Sequence, residues 1–233
     1  MVFGDVEMVH RVEDIPHDRG VYVIVDVKYF SSTVVELFSQ GIEEVHVSEE
    51  RGDEHRFKEE NPGSVIGGPT LPGYEVEEGY DFFNSPASVR KVEGIEDADS
   101  AALTSSNGGR AINRLMEKDE DPDIFVGSTT NARPLGKYLR ENMEPSDICI
   151  VPCGSKGVPA AEDYIGAVHI SAAINQREIS DKKYRSHTSV IRNAKGPYQE
   201  RHEHRQKDAD IASNFNSCQA VPRAKGRVLE DIE

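Results

Sequence analysis

Nothing in this sequence of 233 residues reads as a passage into or across a membrane. No run is long and apolar enough to span a bilayer. The opening stretch MVFGDVEMVHRVEDIP lacks the apolar segment that a secretory leader carries. Cysteine is scarce. Cys149, Cys153 and Cys218 make an odd number, and Cys149-x-x-x-Cys153 has no second pair to complete a zinc site. These absences predict a soluble cytoplasmic protein with reduced thiols. Positive charge is short as well. The 27 Lys and Arg face 42 Asp and Glu, a net charge of −15. Such a surface repels nucleic-acid phosphates and anionic membranes, so neither is expected as a partner. Two nucleotide signatures are missing too. There is no G-x-x-x-x-G-K-[ST], and no G-x-G-x-x-G follows the first predicted strand.

The acids that are present are not gathered in one tail. They fall in EEVHVSEERGDEH, EVEEG, EGIEDAD and EKDEDPD, each between apolar segments. Solvated loops and helix faces are one reading of that pattern. Adaptation to high salt is the other, and it is favoured because bases do not balance the acids in the first half of the chain.

Length allows one large α/β domain over 1–233, or two α/β subdomains meeting near residues 90–100. GVYVIVDV at residue 20 is a near-continuous β-branched run, as expected of a strand covered on both faces. SSTVVELFSQG then has helical spacing and a glycine stop, and IEEVHV reads as the next strand. The alternation recurs in SAALTSS and RAINRLMEK, DIFVGS and ARPLGKYLREN, DICIVPCG and PAAEDYIGAVHISAAI. It predicts a parallel sheet with helices on its faces. Residues 61–90, rich in Gly and Pro, read as short strands and an ordered loop at the sheet edge. Residues 177–208 form a polar stretch, part helical and part mobile, and the tail NSCQAVPRAKGRVLEDIE offers one short strand at most.

Four predicted strand-to-helix turns, DVKYFSST, TSSNGGR, GSTTNAR and PCGSKGVPAAED, are rich in Ser, Thr, Asn and Gly. In an open parallel sheet they share the carboxyl edge, where such folds bind ligands. Small residues let backbone N–H groups approach a ligand, and helix N-termini favour anions. TSSNGGR then reads as one wall of an anion pocket, with Arg110 as a clamp. Ordinary helix caps and turns would give the same composition. The carboxylates expected at this edge are Asp26, Asp81, Glu162 and Asp163. A hard cation such as Mg²⁺ uses one or two carboxylates plus substrate phosphate oxygens, and Asp26, at a strand end, is the best placed. Glu162 and Asp163 open a helix, where the dipole alone would also favour acids. His202-Glu203-His204 reads as a solvated stretch, and Cys153 as a small buried thiol.

These turns, in this order, resemble the 2-phosphosulfolactate phosphatase family of Mg²⁺-dependent enzymes in coenzyme M biosynthesis. The matching pieces are VIVDVKYFSST, GYDFFNSP, LTSSNGGRAI, GSTTNA and CGSKGVPAAED, from about residue 20 to 170. The resemblance implies a three-layer α/β/α fold with a mainly parallel sheet. It implies hydrolysis of the phosphate monoester of a small anionic hydroxy acid, with Mg²⁺ as cofactor. Asp26, Glu162 and Asp163 take the catalytic positions. Ser31, Thr33, Asn84, Ser85, Asn107, Gly108, Arg110 and Asn131 take substrate-binding positions, and Asp26 and Asp81 metal positions. The chain departs from the family pattern at Tyr29, where an arginine is usual, and at GGPTLPG, where a Glu-Arg pair is usual. A second reading follows, a non-catalytic or substrate-shifted member that binds a small anion. The sequence leaves a homo-oligomer open.

Overall fold

In the computed structural model the described residues are 2–3, 6–9, 11–16, 19–117, 122–193 and 203–233. His202 and the central part of the polar stretch lie outside them. The chain enters through β1 (Val2–Phe3), β2 (Val6–Met8), β3 (Val21–Val25), α1 (Phe30–Ser39), β4 (Glu44–Val47), α2 (Asp53–Glu60) and β5 (Val65–Gly68). It continues through β6 (Phe82–Phe83), α3 (Pro86–Val89), β7 (Ser100–Leu103), α4 (Gly108–Met116), β8 (Asp123–Gly127), α5 (Ala132–Asn142) and β9 (Ile148–Pro152). It closes with α6 (Ala161–Ile174), α7 (Asp181–Asn193), α8 (Glu203–Ala212), β10 (Pro222–Lys225) and β11 (Val228–Asp231). None of the described helices is long and apolar enough to cross a membrane.

The strands form one sheet in the order β1-β2-β9-β3-β8-β10-β11-β4-β7-β5-β6. Strand β3 shows why both faces are covered. Tyr22 and Ile24 join a cluster with Phe30, Leu37 and Ile112 of the α1 and α4 side. Val21, Val23 and Val25 alternate onto the opposite cluster with Leu135, Ile165 and Ile170 of α5 and α6. All five strand residues are buried, each side chain contributing roughly 1.5–3 kcal/mol of transfer free energy. The architecture is the expected three-layer α/β/α, mostly parallel.

Three expectations need correction. The tail holds two strands, not one at most: β10 and β11 form an antiparallel hairpin. That hairpin sits in the middle of the sheet, with β10 antiparallel to β8 and β11 antiparallel to β4. Three successive reversals make the block β4-β7-β5-β6 run opposite to the block β2-β9-β3-β8. The strand-to-helix turns therefore do not share one edge as they would in a wholly parallel sheet. Sheet twist offsets the reversal. At roughly 20–25° per neighbour, five steps from β3 to β7 turn the strands by about 100° or more. The end of β7 swings back toward the end of β3. Lastly, His204 is not in a solvated stretch. It is buried at 4% exposure on α8, which packs against α3.

Candidate functional site

Asp26 is the first residue past β3 and only 1% exposed. The turn that follows, whose Lys28–Tyr29 peptide is cis, is built around it. The Asp26 amide donates to Ser31 Oγ at 2.9 Å, and the Ser31 amide returns to the Asp26 carbonyl at 2.9 Å. Thr33 Oγ1 donates to the Tyr29 carbonyl at 3.0 Å. Ser31 and Thr33 thus shape the turn through its backbone. The side chain of Asp26 accepts the Gly108 amide on Oδ2 at 3.1 Å, while Oδ1 is buried and makes no hydrogen bond among the described residues.

Asp163, in the first turn of α6, is also 1% exposed. Its Oδ1 accepts the Val27 amide and its Oδ2 the Gly154 amide, both at 2.8 Å. It ties the end of β3 to the end of β9. Gly154 is required there. Its φ is +66°, and a Cβ would stand 2.4 Å from the Val158 carbonyl oxygen.

Burial pushes Asp26 up to about 7, opposed by the Gly108, Phe30 and Tyr29 amides and reinforced by the Glu162 charge. Burial, then repulsion from Asp26 and Glu162, pushes Asp163 well above the carboxylate range. The pair cannot comfortably carry two full charges. The two carboxyls therefore titrate as a pair that shares a proton. Cys153 lies against this pair. Burial, Asp26 and Asp163 raise its thiol far above the ordinary value, which makes it the inert buried thiol expected.

A second buried cluster adjoins the first. Ser85 Oγ lies 2.6 Å from Asp208 Oδ1 and 2.8 Å from His204 Nε2. Lys91 Nζ lies 3.2 Å from His204 Nδ1. An ammonium only donates, so Nδ1 is the acceptor and Nε2 carries the proton. His204 then donates to Ser85, and Ser85 donates to Asp208. Ser85 is not an activated nucleophile; it fastens α8 onto α3. Burial raises Asp208 to about 6, against Ser85, the Ala87 amide, Lys28 and Lys91. Among the described residues, Asp208 Oδ2 and Asn84 Oδ1 are buried without a hydrogen bond.

Lys28 connects the two clusters. Its Nζ donates to the Ile191 carbonyl at 2.5 Å. Burial lowers its pKa, while Glu162, Asp208 and Asp163 hold it up and Arg205 opposes them. Arg205 also hydrogen-bonds Tyr29. The cations missing from the expected motif positions are therefore represented nearby by Lys28 and Arg205. Sequence reasoning missed both, along with His204 and Asp208. The available signal was the i, i+4 spacing of His204 and Asp208, which on a helix points both to one side.

The remaining predicted residues sit as follows. Arg110 reaches Glu13 Oε1 at 3.1 Å on the surface. Asn107 precedes α4 and is half-buried, with no side-chain capping bond. Asn131 is fully engaged, accepting from the Ser128 amide and donating to the Val126 and Ala220 carbonyls. Asp81 Oδ2 accepts Lys58 Nζ at 2.6 Å and the Ile66 amide at 2.8 Å. It is a brace between β5 and α2. Among the described residues, no three His, Cys, Asp or Glu side chains cluster as a complete metal cage.

Comparison with known sequences identifies a family. The profile of a family described as 2-phosphosulpholactate phosphatase matches residues 8–225. A protein of Methanocaldococcus jannaschii named 2-phosphosulfolactate phosphatase is 31% identical over 161 residues, 67% of this chain and 64% of that protein. A Clostridium perfringens protein named probable 2-phosphosulfolactate phosphatase is 29% identical over 146 residues, 61% of this chain and 54% of that protein. The matched stretch thus spans less than two thirds of the length of either relative.

Proposed function

The chain belongs to the 2-phosphosulpholactate phosphatase family, and we propose that it hydrolyses the phosphate monoester of a small anionic hydroxy acid of the 2-phosphosulfolactate kind. One observation carries the reading. A buried carboxylate, Asp26, with an oxygen that makes no hydrogen bond among the described residues, stands at a strand end beside a second buried carboxylate, Asp163, whose charge reaches Lys28.

Mg²⁺ fits this chemistry. Asp26 Oδ1 is an orphaned hard-oxygen donor, and the repulsion that raises Asp26 and Asp163 is what a cation would relieve. Asp26 would hold it, with Glu162 as the nearest unengaged carboxylate; Asp81 is taken up by Lys58. When bound, such an ion polarises a phosphoryl group and lowers the pKa of a bound water.

The chain's own residues divide the remaining work. Asp163, with both oxygens held by backbone amides, positions the turn that carries Asp26 and leaves the proton transfer to another group. Glu162 is half-buried and makes no hydrogen bond or ion pair among the described residues. It is the group that takes the proton of the attacking water as the new O–P bond forms and the ester P–O bond breaks, the leaving alkoxide taking a proton from solvent to depart as the hydroxy acid. Lys28, Arg110 and the N-terminus of α4 offset charge on the phosphoryl oxygens.

The test is phosphate release from 2-phosphosulfolactate and from a panel of 2-phospho hydroxy acids, with and without Mg²⁺. The wild-type chain should release phosphate and Asp26→Asn should lose at least a hundredfold in rate. Release that is unaffected by Asp26→Asn overturns the site. Binding of 2-phosphosulfolactate without any turnover overturns the hydrolase reading in favour of an anion-binding family member.

A further inference from the structure

Two cavities lie away from the Asp26–Asp163 pair. One, of about 600 Å³, is lined by Arg90, Lys91, Arg192 and Lys207. Each of these already has a partner: Glu36, His204, Asp210 and Glu203 respectively. The other, of about 580 Å³, lies between α5, α6 and α7 and differs in that respect. We propose that this second cavity is a binding site for a phosphate monoester that carries a ring, with the phosphate on its cationic wall and the ring against its aromatic floor.

The wall comes first. Arg133 and Lys137 are four residues apart on α5 and so share a face, and Arg177 follows the end of α6. Among the described residues none of the three makes a side-chain hydrogen bond or an ion pair. Their neighbour Arg140 is engaged, donating to the Ala173 carbonyl at 3.1 Å and pairing with Glu141. Glu178 and Asp181 line the same cavity without pairing with any of the three. In a chain of net charge −15, acids are the commonest partner on offer. Three unpaired cations turned to one concavity make a local positive field that an anion of two charges would fill.

The floor supplies the second half of the argument. His169 and Tyr184 both line the cavity. His169 is buried, stacks on Phe215 at 4.4 Å and meets Tyr184 edge-on at 5.0 Å. Its Nε2 lies 2.9 Å from His187 Nδ1. Burial and the neighbouring His187 hold His169 down to about 3, so the floor is uncharged at neutral pH. Ala172, Ala173 and Ile179 add apolar surface. Inorganic phosphate alone would use the wall and leave most of this volume to water. A cavity of this size, with an aromatic and aliphatic floor beside convergent charges, suits a small organic ligand.

The site is separate from the carboxylate pair. Asp163 opens α6, whereas the cavity lies along its second half as far as Gln176. At about 1.5 Å per residue the far end is roughly 20 Å away.

The experiment uses the full chain carrying Asp26→Asn, so that turnover at the carboxylate pair does not interfere. Adenosine 5′-monophosphate, ribose 5-phosphate and inorganic phosphate are titrated calorimetrically at fixed ionic strength. The expected result is that adenosine 5′-monophosphate binds at least tenfold more tightly than either of the others. Adding Arg133→Glu or Arg177→Glu, both at exposed positions, should weaken it at least tenfold. No detectable binding of adenosine 5′-monophosphate overturns the proposal. So does binding that neither charge reversal changes. Equal binding of all three probes overturns the aromatic floor. A failed phosphatase assay would leave these titrations, and this site, as they stand.

Discussion

The Gly108 amide donates to Asp26 Oδ2 at 3.1 Å, across 82 positions of sequence. The contact joins the turn after β7 to the turn after β3, which belong to oppositely running blocks of the sheet. Gly108 has an ordinary φ, so backbone conformation does not demand glycine. Space does. A Cβ at Gly108 would stand 2.3 Å from the buried ring of Phe30. Gly108→Ala is therefore expected to push the turn off Asp26. It should lower stability by about 1–3 kcal/mol, as overpacking does, and reduce phosphate release. Denaturant unfolding and the release assay check both parts.

The pH dependence of stability has a definite sign. The folded pKa of Asp26 is about 7, above the roughly 3.9 of an unfolded aspartate. Between those values the folded chain holds a proton that the unfolded chain does not. Stability from this group is therefore withdrawn as pH rises from about 4 to about 7, and the loss is complete above that. Asp163 acts in the same direction, and Asp208, at about 6, does so over a shorter window. His169 opposes them, because its lowered pKa withdraws stability as pH falls below about 6.5. Comparing Asp26→Asn with the wild type removes this group together with its repulsion on Asp163. In melts without divalent cations the variant should gain on the wild type as pH rises from about 4 to about 7, and then run parallel. A pH-independent gap would show that Asp26 is not shifted.

Arg110 and Glu13 are about half exposed, so their ion pair is worth roughly 0–1 kcal/mol to the fold. Its expected effect is on binding. Arg110→Ala should weaken phosphate binding by about 1.5–3 kcal/mol, the range of a charged hydrogen bond. Glu13→Ala frees the guanidinium and should strengthen it. Arg110→Lys should recover only part of the loss, since the bidentate fork is gone. Calorimetric titration with phosphate or a phosphonate decides. Equal affinity in wild type and Arg110→Ala would reduce TSSNGGR to a helix cap.

Ser85→Ala removes a donor to Asp208 and an acceptor for His204 in a buried cluster. The expected loss is about 1–3 kcal/mol, the penalty for stranding buried polar groups. Loosening of α8 should accompany it, read as faster amide exchange over residues 203–212.

Self-repulsion at a net charge of −15 predicts a melting temperature that rises in molar KCl. A flat or falling series would remove the case for salt adaptation.

Strand β3 was legible because five consecutive apolar residues leave no other home than a doubly covered strand. Helix α6 was legible from its length and its acidic first turn. The hairpin was not. PRAK and VLED are four-residue strands with charges among them, and burial falls mainly on Pro222, Ala224 and Leu229. Helix α8 was hidden for a related reason. Its buried face includes His204 and Asp208, so apolar periodicity is broken where the packing is tightest. In the site, Asp26 announced itself as an acid at a strand end. The partnership of Asp26 with Gly108, and of Ser85 with Asp208, depends on how distant segments meet, which local spacing does not encode.

The hairpin β10–β11 also dictates an order of assembly. Among the described residues, backbone hydrogen bonding passes between the two blocks of the sheet only through Pro222–Asp231. During synthesis, β3 and β4 emerge long before the segment that must lie between them. Loop closure over such a separation is slow. Each block can gather its own helices, but the continuous sheet that brings Asp26 to Gly108 forms only once Pro222–Asp231 has docked between the blocks.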